Sequence, residues 1–154
     1  MALEEKEREI LEKLQRDARA SNAQLAEQVS MSESSCWRKV RSMEDVGIIQ
    51  RYAAIVDPKK MGLHFEAVVQ INLDRHNEEA VNALVELLQQ CDEVIDCLAI
   101  TGDFDYLLRV ICKDIDAYND FIEQNLFSNR GIGSMKTNVV LKRIKADAPV
   151  LAKG

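Results

Sequence analysis

The sequence predicts an α+β chain: an N-terminal winged helix-turn-helix followed by a C-terminal ferredoxin-like βαββαβ sandwich. Three observations carry this. Up to about Gly47 apolar residues recur at helical spacing, and from Phe65 onward alternating strand-like segments are interrupted by two helical ones. Between them lies Asp57-Pro58-Lys59-Lys60-Met61-Gly62, with the turn chemistry of a linker. The division is therefore residues 1–55, a linker over 56–64, and 65–154; a chain of 154 residues accommodates two small domains.

In the first half, Ile10, Leu11 and Leu14 form the apolar stripe of a helix over 3–17. Ser21, with Gln24 three residues on, is the capping-box start of a second helix whose inner face is Leu25, Ala26 and Val29. Ser30-Met31-Ser32 breaks the pattern, and Ser32 caps a third helix that runs to Val46 and stops at Gly47. Its apolar stripe is Cys36, Val40, Met43 and Val46. Residues 48–55 read as a strand pair or one bent strand, the wing.

In the second half, Ala67, Val69, Ile71 and Leu73 alternate along a strand. Asn77 caps a helix carrying Val81, Leu84, Val85, Leu87 and Leu88. Strands over 94–101 and 105–112 are joined at Gly102-Asp103. Asp114 or Asp116 caps a helix through Tyr118, Phe121, Ile122 and Leu126, and Gly131 and Gly133 end it. A last strand covers 135–144. Helices on one face of such a sheet leave the other uncovered, so a dimer is expected.

The net charge of −6 excludes a chain that binds nucleic acid over its whole surface; any DNA contact must be local. Such a locality exists. Between Ser34 and Met43 stand Arg38, Lys39 and Arg41 with no acidic residue. A third helix of this kind enters the major groove. Ser32, Ser34, Ser35, Arg38, Lys39 and Arg41 would face DNA, and Arg51 in the wing would add a phosphate contact. Trp37 either packs, the more ordinary role of a helical aromatic, or lies against the DNA backbone.

Other functions are disfavoured. The four cysteines form no C-x-x-C pair, and His64 and His76 are isolated, so neither a metal site nor a disulfide framework is expected. Cys97 or Cys112 could be nucleophiles, but no histidine stands near either and there is no Gly-rich phosphate loop, so no enzyme and no cofactor are expected. No apolar run is long enough to span a bilayer, and the acidic N-terminus lacks a signal-peptide core, which makes a cytoplasmic protein without membrane association the plain reading.

Several separated motifs resemble those of the Lrp/AsnC family of feast/famine regulators. The opening Leu3-Glu4-Glu5-Lys6-Glu7-Arg8-Glu9-Ile10-Leu11 is similar to the family's L-D-x-I-D-x-x-I-L. The run from Ser32 to Glu44 is similar to S-x-x-x-C-x-x-R-V-x-x-L-E, and Gly47-Ile48-Ile49 follows as G-I-I. Gly102-Asp103-Phe104-Asp105-Tyr106-Leu107-Leu108 looks like G-x-x-D-Y-L-L, and Thr137 to Lys145 resembles the closing strand. Lys6 stands where the family has Ile, and Lys39 replaces an Arg, keeping charge but losing the bidentate fork.

The resemblance implies a transcriptional regulator acting on double-stranded DNA. Its homodimers would assemble further into octamers. Each dimer would read a pseudo-palindromic operator with half-sites about 34–36 Å apart or multiples of that. It also implies an amino-acid effector bound where dimers meet, on Thr101, Gly102, Asp103, Asp105 and Thr137. The chemistry suits this: Gly102 exposes backbone N–H donors to a carboxylate, the aspartates suit an ammonium, and Thr137 offers a hydroxyl. A plain β-hairpin turn is the competing reading of Gly102-Asp103. Met135 stands where the family often has a second threonine, which favours an apolar or sulfur-bearing effector. The alternative function is an oligomeric ligand-binding protein without working DNA recognition.

Overall fold

The computed structural model describes residues 3–74 and 78–151 and divides by contacts into two units, 1–55 with 145–154, and 56–144. The sequence reading assigned the segment after Ile144 to the sheet domain; by its contacts it groups with the helical unit.

The helical unit is built on α1 (Glu5–Arg16), α2 (Asn22–Gln28) and α3 (Glu33–Asp45). Each start is fixed locally. The Glu4 backbone N–H donates to the Glu7 carboxylate at 2.9 Å. Ser21 and Gln24 bond reciprocally, and the Ser35 N–H donates to Ser32 Oγ. Caps of this kind contribute about 1 kcal/mol each. Between α2 and α3 the chain turns through Ser30, in the left-handed region at φ 52°. Gly47, at φ 77°, ends α3 as expected. The core is Ile10, Leu25, Ala26, Val29, Cys36 and Met43, with Leu11, Leu14 and Val40 packed against it.

Two expectations fail here. Val46 is exposed, because it caps α3 where the helical stripe has already ended. The strand expected over 48–55 is not formed, and Tyr52 and Ile55 are exposed. An apolar segment becomes a strand only against a hydrogen-bonding edge, and this unit has no sheet to offer one among the described residues. The returning C-terminal segment instead docks beside α1. The Gln15 amide accepts from Val150 N–H at 2.7 Å and donates to Val150 C=O at 3.0 Å. Leu11, Gln15, Tyr52, Val150 and Leu151 help line a cleft of about 830 Å³ there.

Pro58–Met61 forms a short 3-10 turn closed by Gly62. The sheet unit then runs β1 (Phe65–Leu73), α4 (Glu78–Gln90), β2 (Val94–Ala99), β3 (Tyr106–Cys112), α5 (Ile115–Phe121) and β4 (Ile132–Val139). All pairings are antiparallel and the strand order is β2-β3-β1-β4, the predicted ferredoxin-like arrangement. The expected Asn77 cap lies outside the described residues. Asp114, rather than Asp116, caps α5 by accepting from Ala117 N–H, and the last turn of that helix widens to π over Ile122–Leu126.

Ala67, Val69, Ile71, Leu108 and Val110 point to one face and are sealed by Leu84 and Leu88 of α4 and by Tyr118, Phe121, Ile122 and Leu126 from the α5 side. The opposite face carries Val68 paired with Arg109 and Gln70 with Leu107, beside an exposed Leu98. Ion pairs Arg109–Asp96 and Arg143–Glu66 lie on this face. The last strand starts earlier and ends sooner than the apolar run Val139-Val140-Leu141 suggested. Beyond Val140, whose N–H still reaches Glu66 C=O, the chain leaves the ladder and Leu141 is exposed.

Gly131 marks the tightest approach: a Cβ there would stand 2.6 Å from the Ala80 carbonyl oxygen and 2.9 Å from its carbon. Both are backbone atoms of α4, which cannot rotate away. Gly131→Ala is therefore expected to destabilise the sheet unit by about 1–3 kcal/mol, read as a lower denaturation midpoint; an unchanged midpoint would show that α4 sits further off.

Candidate DNA interface and effector loop

The two sides of α3 divide by helical spacing. Cys36, Val40 and Met43 face the core. Ser34, Trp37, Arg38 and Arg41, at i, i+3, i+4 and i+7, share the opposite side, and all four are exposed. Ser32 and Ser35 sit at the N-terminal end, where the helix presents its positive dipole and its first N–H groups. Asn22 Nδ2 donates to Glu33 C=O at 2.9 Å and ties the start of α2 to the first turn of α3. This gives the three-helix geometry in which the last helix is held out by the other two.

The basic residues proposed for DNA differ in how committed they are within the chain. Among the described residues Arg38 donates to Ser35 Oγ over a long 3.4 Å. Arg41 pairs within its own helix with Glu44 and Asp45 at 3.3 and 3.4 Å. Arg51 is exposed in the irregular segment after α3. Lys39 turns inward: its side chain is 25% exposed, and its ammonium bonds Glu4 at 2.5 Å and lies 3.6 Å from Glu7. The bond to Glu4 raises the lysine above its ordinary pKa against the opposing effect of burial, and the charges of Glu4 and Glu7 and the Glu7 bond add to the rise. Stabilisation from this clamp is present below the ordinary lysine value and is lost as pH rises through the elevated one.

Two contacts, of Lys6 and Tyr52, escaped the sequence analysis, which left Trp37 open between packing and DNA. Lys6 donates to Val29 C=O at 2.8 Å and pairs with Glu9, placing a cation at the C-terminal end of α2, which has no basic residue in its own last turn. Tyr52 donates to Glu44 at 2.9 Å and pins the segment after α3; burial, then the Glu44 bond and charge, push its pKa up to about 12. Trp37 is 57% exposed and stands outside the core cluster. No pattern within the sequence pointed to the first two, because their partners are distant in sequence or lie in an irregular segment.

At the end of the sheet, Thr101, Gly102 and Asp103 are exposed, and Gly102 has φ 121°, a conformation that favours glycine. Asp105 is half-buried and does structural work. Its carboxylate accepts from Leu73 N–H at 2.9 Å, its N–H donates to Ile71 C=O, and its C=O accepts from Ile100 N–H. It thereby fixes the loop against the end of β1. Thr137 is on β4, an edge of the sheet, while the loop joins β2, the other edge, to β3. The Thr137 hydroxyl and Tyr118 Oη are 2.6 Å apart. Within one chain, then, Gly102, Asp103 and Asp105 are brought together and Thr137 is set apart from them. Met135 packs against the core.

The cysteines are free thiols. Burial pushes Cys97 up, and burial with the Glu93 and Asp114 charges pushes Cys112 up to about 11. Neither is an activated thiolate at neutral pH. Among the described residues there is no cluster of potential metal ligands and no helix long and apolar enough to cross a membrane.

A helix-turn-helix unit joined to a separate sheet unit defines a DNA-binding regulator with a ligand-binding domain. Residues 3–50 match the winged helix-turn-helix DNA-binding family model, and 66–150 match the Lrp/AsnC ligand binding domain. The chain is 33% identical over 148 residues to the transcriptional regulator AzlB of Bacillus subtilis, covering 96% of this chain and 94% of that one. It is 31% identical to the leucine-responsive regulatory protein of Escherichia coli, covering 96% and 90%. A transcriptional regulator of Neisseria meningitidis, solved as its L-Met complex, superposes with TM-score 0.92 at 31% identity over 97% of this chain and 96% of that one. The chain belongs to the Lrp/AsnC family of transcriptional regulators.

Arg38 and Lys39 should separate in solution. Arg38→Ala is expected to weaken DNA binding across sequences and reduce the salt slope by about 0.9, one phosphate contact. Lys39→Ala should leave that slope unchanged and lower the melting temperature of the helical unit, because a partly exposed ion pair contributes about 0.2–1 kcal/mol. Equal slopes for both variants would contradict this assignment.

Proposed function

We propose that this regulator binds a pseudo-palindromic operator as a homodimer that assembles further to an octamer in the cytoplasm, and that its activity responds to an apolar amino acid. The DNA-binding unit is assigned to residues 1–55 and the sensing unit to 65–144, with the segment from Lys145 grouped by its contacts with the helices. The DNA-facing set is Ser32, Ser34, Ser35, Arg38, Arg41 and Arg51, with Lys39 holding the helix rather than touching phosphate. The effector set is Thr101, Gly102 and Asp103 in contact, Asp105 as the residue that positions their loop, and Thr137 contributed from the edge strand, where a second chain would bring it near.

The observation that carries the sensing reading is the exposed Gly102-Asp103 turn, held from behind by Asp105. Such a turn offers backbone N–H groups and one carboxylate to the two charged ends of an amino acid. The relatives support the ligand class: one is named for its response to leucine and another was solved with L-Met. Met135, in place of a hydroxyl, agrees with an apolar side chain.

Calorimetric titration of the full chain with each common amino acid should give binding to one or a few apolar ones, weakened at least tenfold by Asp103→Ala, an exposed position whose replacement leaves the fold intact. Binding unchanged by that substitution would move the site elsewhere. Selection of genomic fragments at moderate salt should enrich a recurrent pseudo-palindrome. If amino acids bind and no DNA is enriched, the chain is a ligand-binding oligomer without working DNA recognition.

A further inference from the structure

We infer that Trp37 is a base-reading residue, whose indole makes an apolar contact with the 5-methyl group of a thymine in the major groove. This rests on α3 being the DNA-reading helix.

The placement argues for it. Trp37 belongs to the exposed set Ser34, Trp37, Arg38 and Arg41, at the edge of that set and about a quarter turn round the helix from the core stripe of Cys36, Val40 and Met43. It is 57% exposed where a helix of a folded domain ordinarily places a polar residue. With Asn22, Glu33, Ser34 and Arg38 it lines a shallow hollow at the N-terminal end of α3, the part of such a helix that meets base edges. The surrounding side chains are hydroxyl, amide and guanidinium groups, suited to phosphates and base acceptors, and the Glu33 carboxylate, suited only to a donor such as a cytosine amino group. The indole alone among them offers an apolar plate, and the thymine methyl is the one apolar group on the major-groove edge of a base pair. Flanking Arg38 and Arg41 would hold the backbone while Trp37 reads the methyl.

The test uses the full chain and a random 40-base-pair duplex library. Wild type, Trp37→Ala and Trp37→Phe are each taken through binding selection at about 0.15 M salt. Single thymines of the wild-type site are then replaced by uracil, which pairs identically but lacks the methyl. Wild type is expected to lose about three- to fivefold in affinity at one thymine in each half-site, the worth of one buried methyl. Trp37→Ala should bind thymine and uracil sites alike and tolerate other bases there; Trp37→Phe should retain most of the discrimination. Because the chain has one tryptophan, its fluorescence should be quenched by the selected duplex. A selected site insensitive to uracil at every position, or equal thymine preference in wild type and Trp37→Ala, overturns the Trp37 role while leaving DNA recognition standing. If wild type enriches no site and does not bind bulk duplex, both readings fall together. Matching melting temperatures for wild type and Trp37→Ala confirm that the exposed side chain can be removed without loss of fold.

Discussion

What α3 can offer to another molecule depends on how its inner side is held. Cys36 and Met43 are sealed against Ile10, Leu25, Ala26 and Val29, and Lys39 reaches across to Glu4 and Glu7. This combines a non-directional apolar contact with a directional ionic one. The first keeps the helix in place; the second fixes its rotation about its own axis, and rotation decides which side chains face outward. The acidic opening of the chain is thus part of the DNA-reading unit. Glu4 and Glu7 draw a lysine inward, and Glu7 also satisfies the Glu4 N–H at the start of α1.

The sheet unit solves a similar problem with backbone hydrogen bonds. Asp105 ties its loop between β2 and β3 to the end of β1 through both main chain and carboxylate. A loop anchored at one residue and exposed at the two before it combines a defined geometry with an accessible surface, which a ligand-binding turn requires. The open face of the sheet, with charged pairs beside exposed Leu98, contrasts with the sealed helical side.

Much of this was legible beforehand because it follows from periodicity and capping. The inner faces of α2 and β1, the Ser21 and Ser32 caps, the choice between fold classes and the Gly102 turn all rest on neighbours close in sequence. The wing over 48–55 was misread because its apolar residues fit a strand while the described residues of that unit offer no partner edge. Lys39 was grouped with Arg38 and Arg41 by charge, although its spacing from Cys36 and Met43 already placed it on the inner stripe; periodicity outranked composition there. The partners of Lys6 and Tyr52 are set by tertiary placement, which spacing does not encode. Trp37 was read first as a packing residue and second as a DNA contact, and its exposure places it outside the helical core.

The Gln15–Val150 bonds alter the topology of the molecule as much as its local packing. The helical unit contains both residues 1–55 and the returning segment from Lys145, so the sheet unit is an insertion within it rather than a tail behind it. The chain crosses between the two units twice. Cutting the linker over 56–64 alone would leave the sheet unit still covalently joined to the helical unit through Ile144 and Lys145.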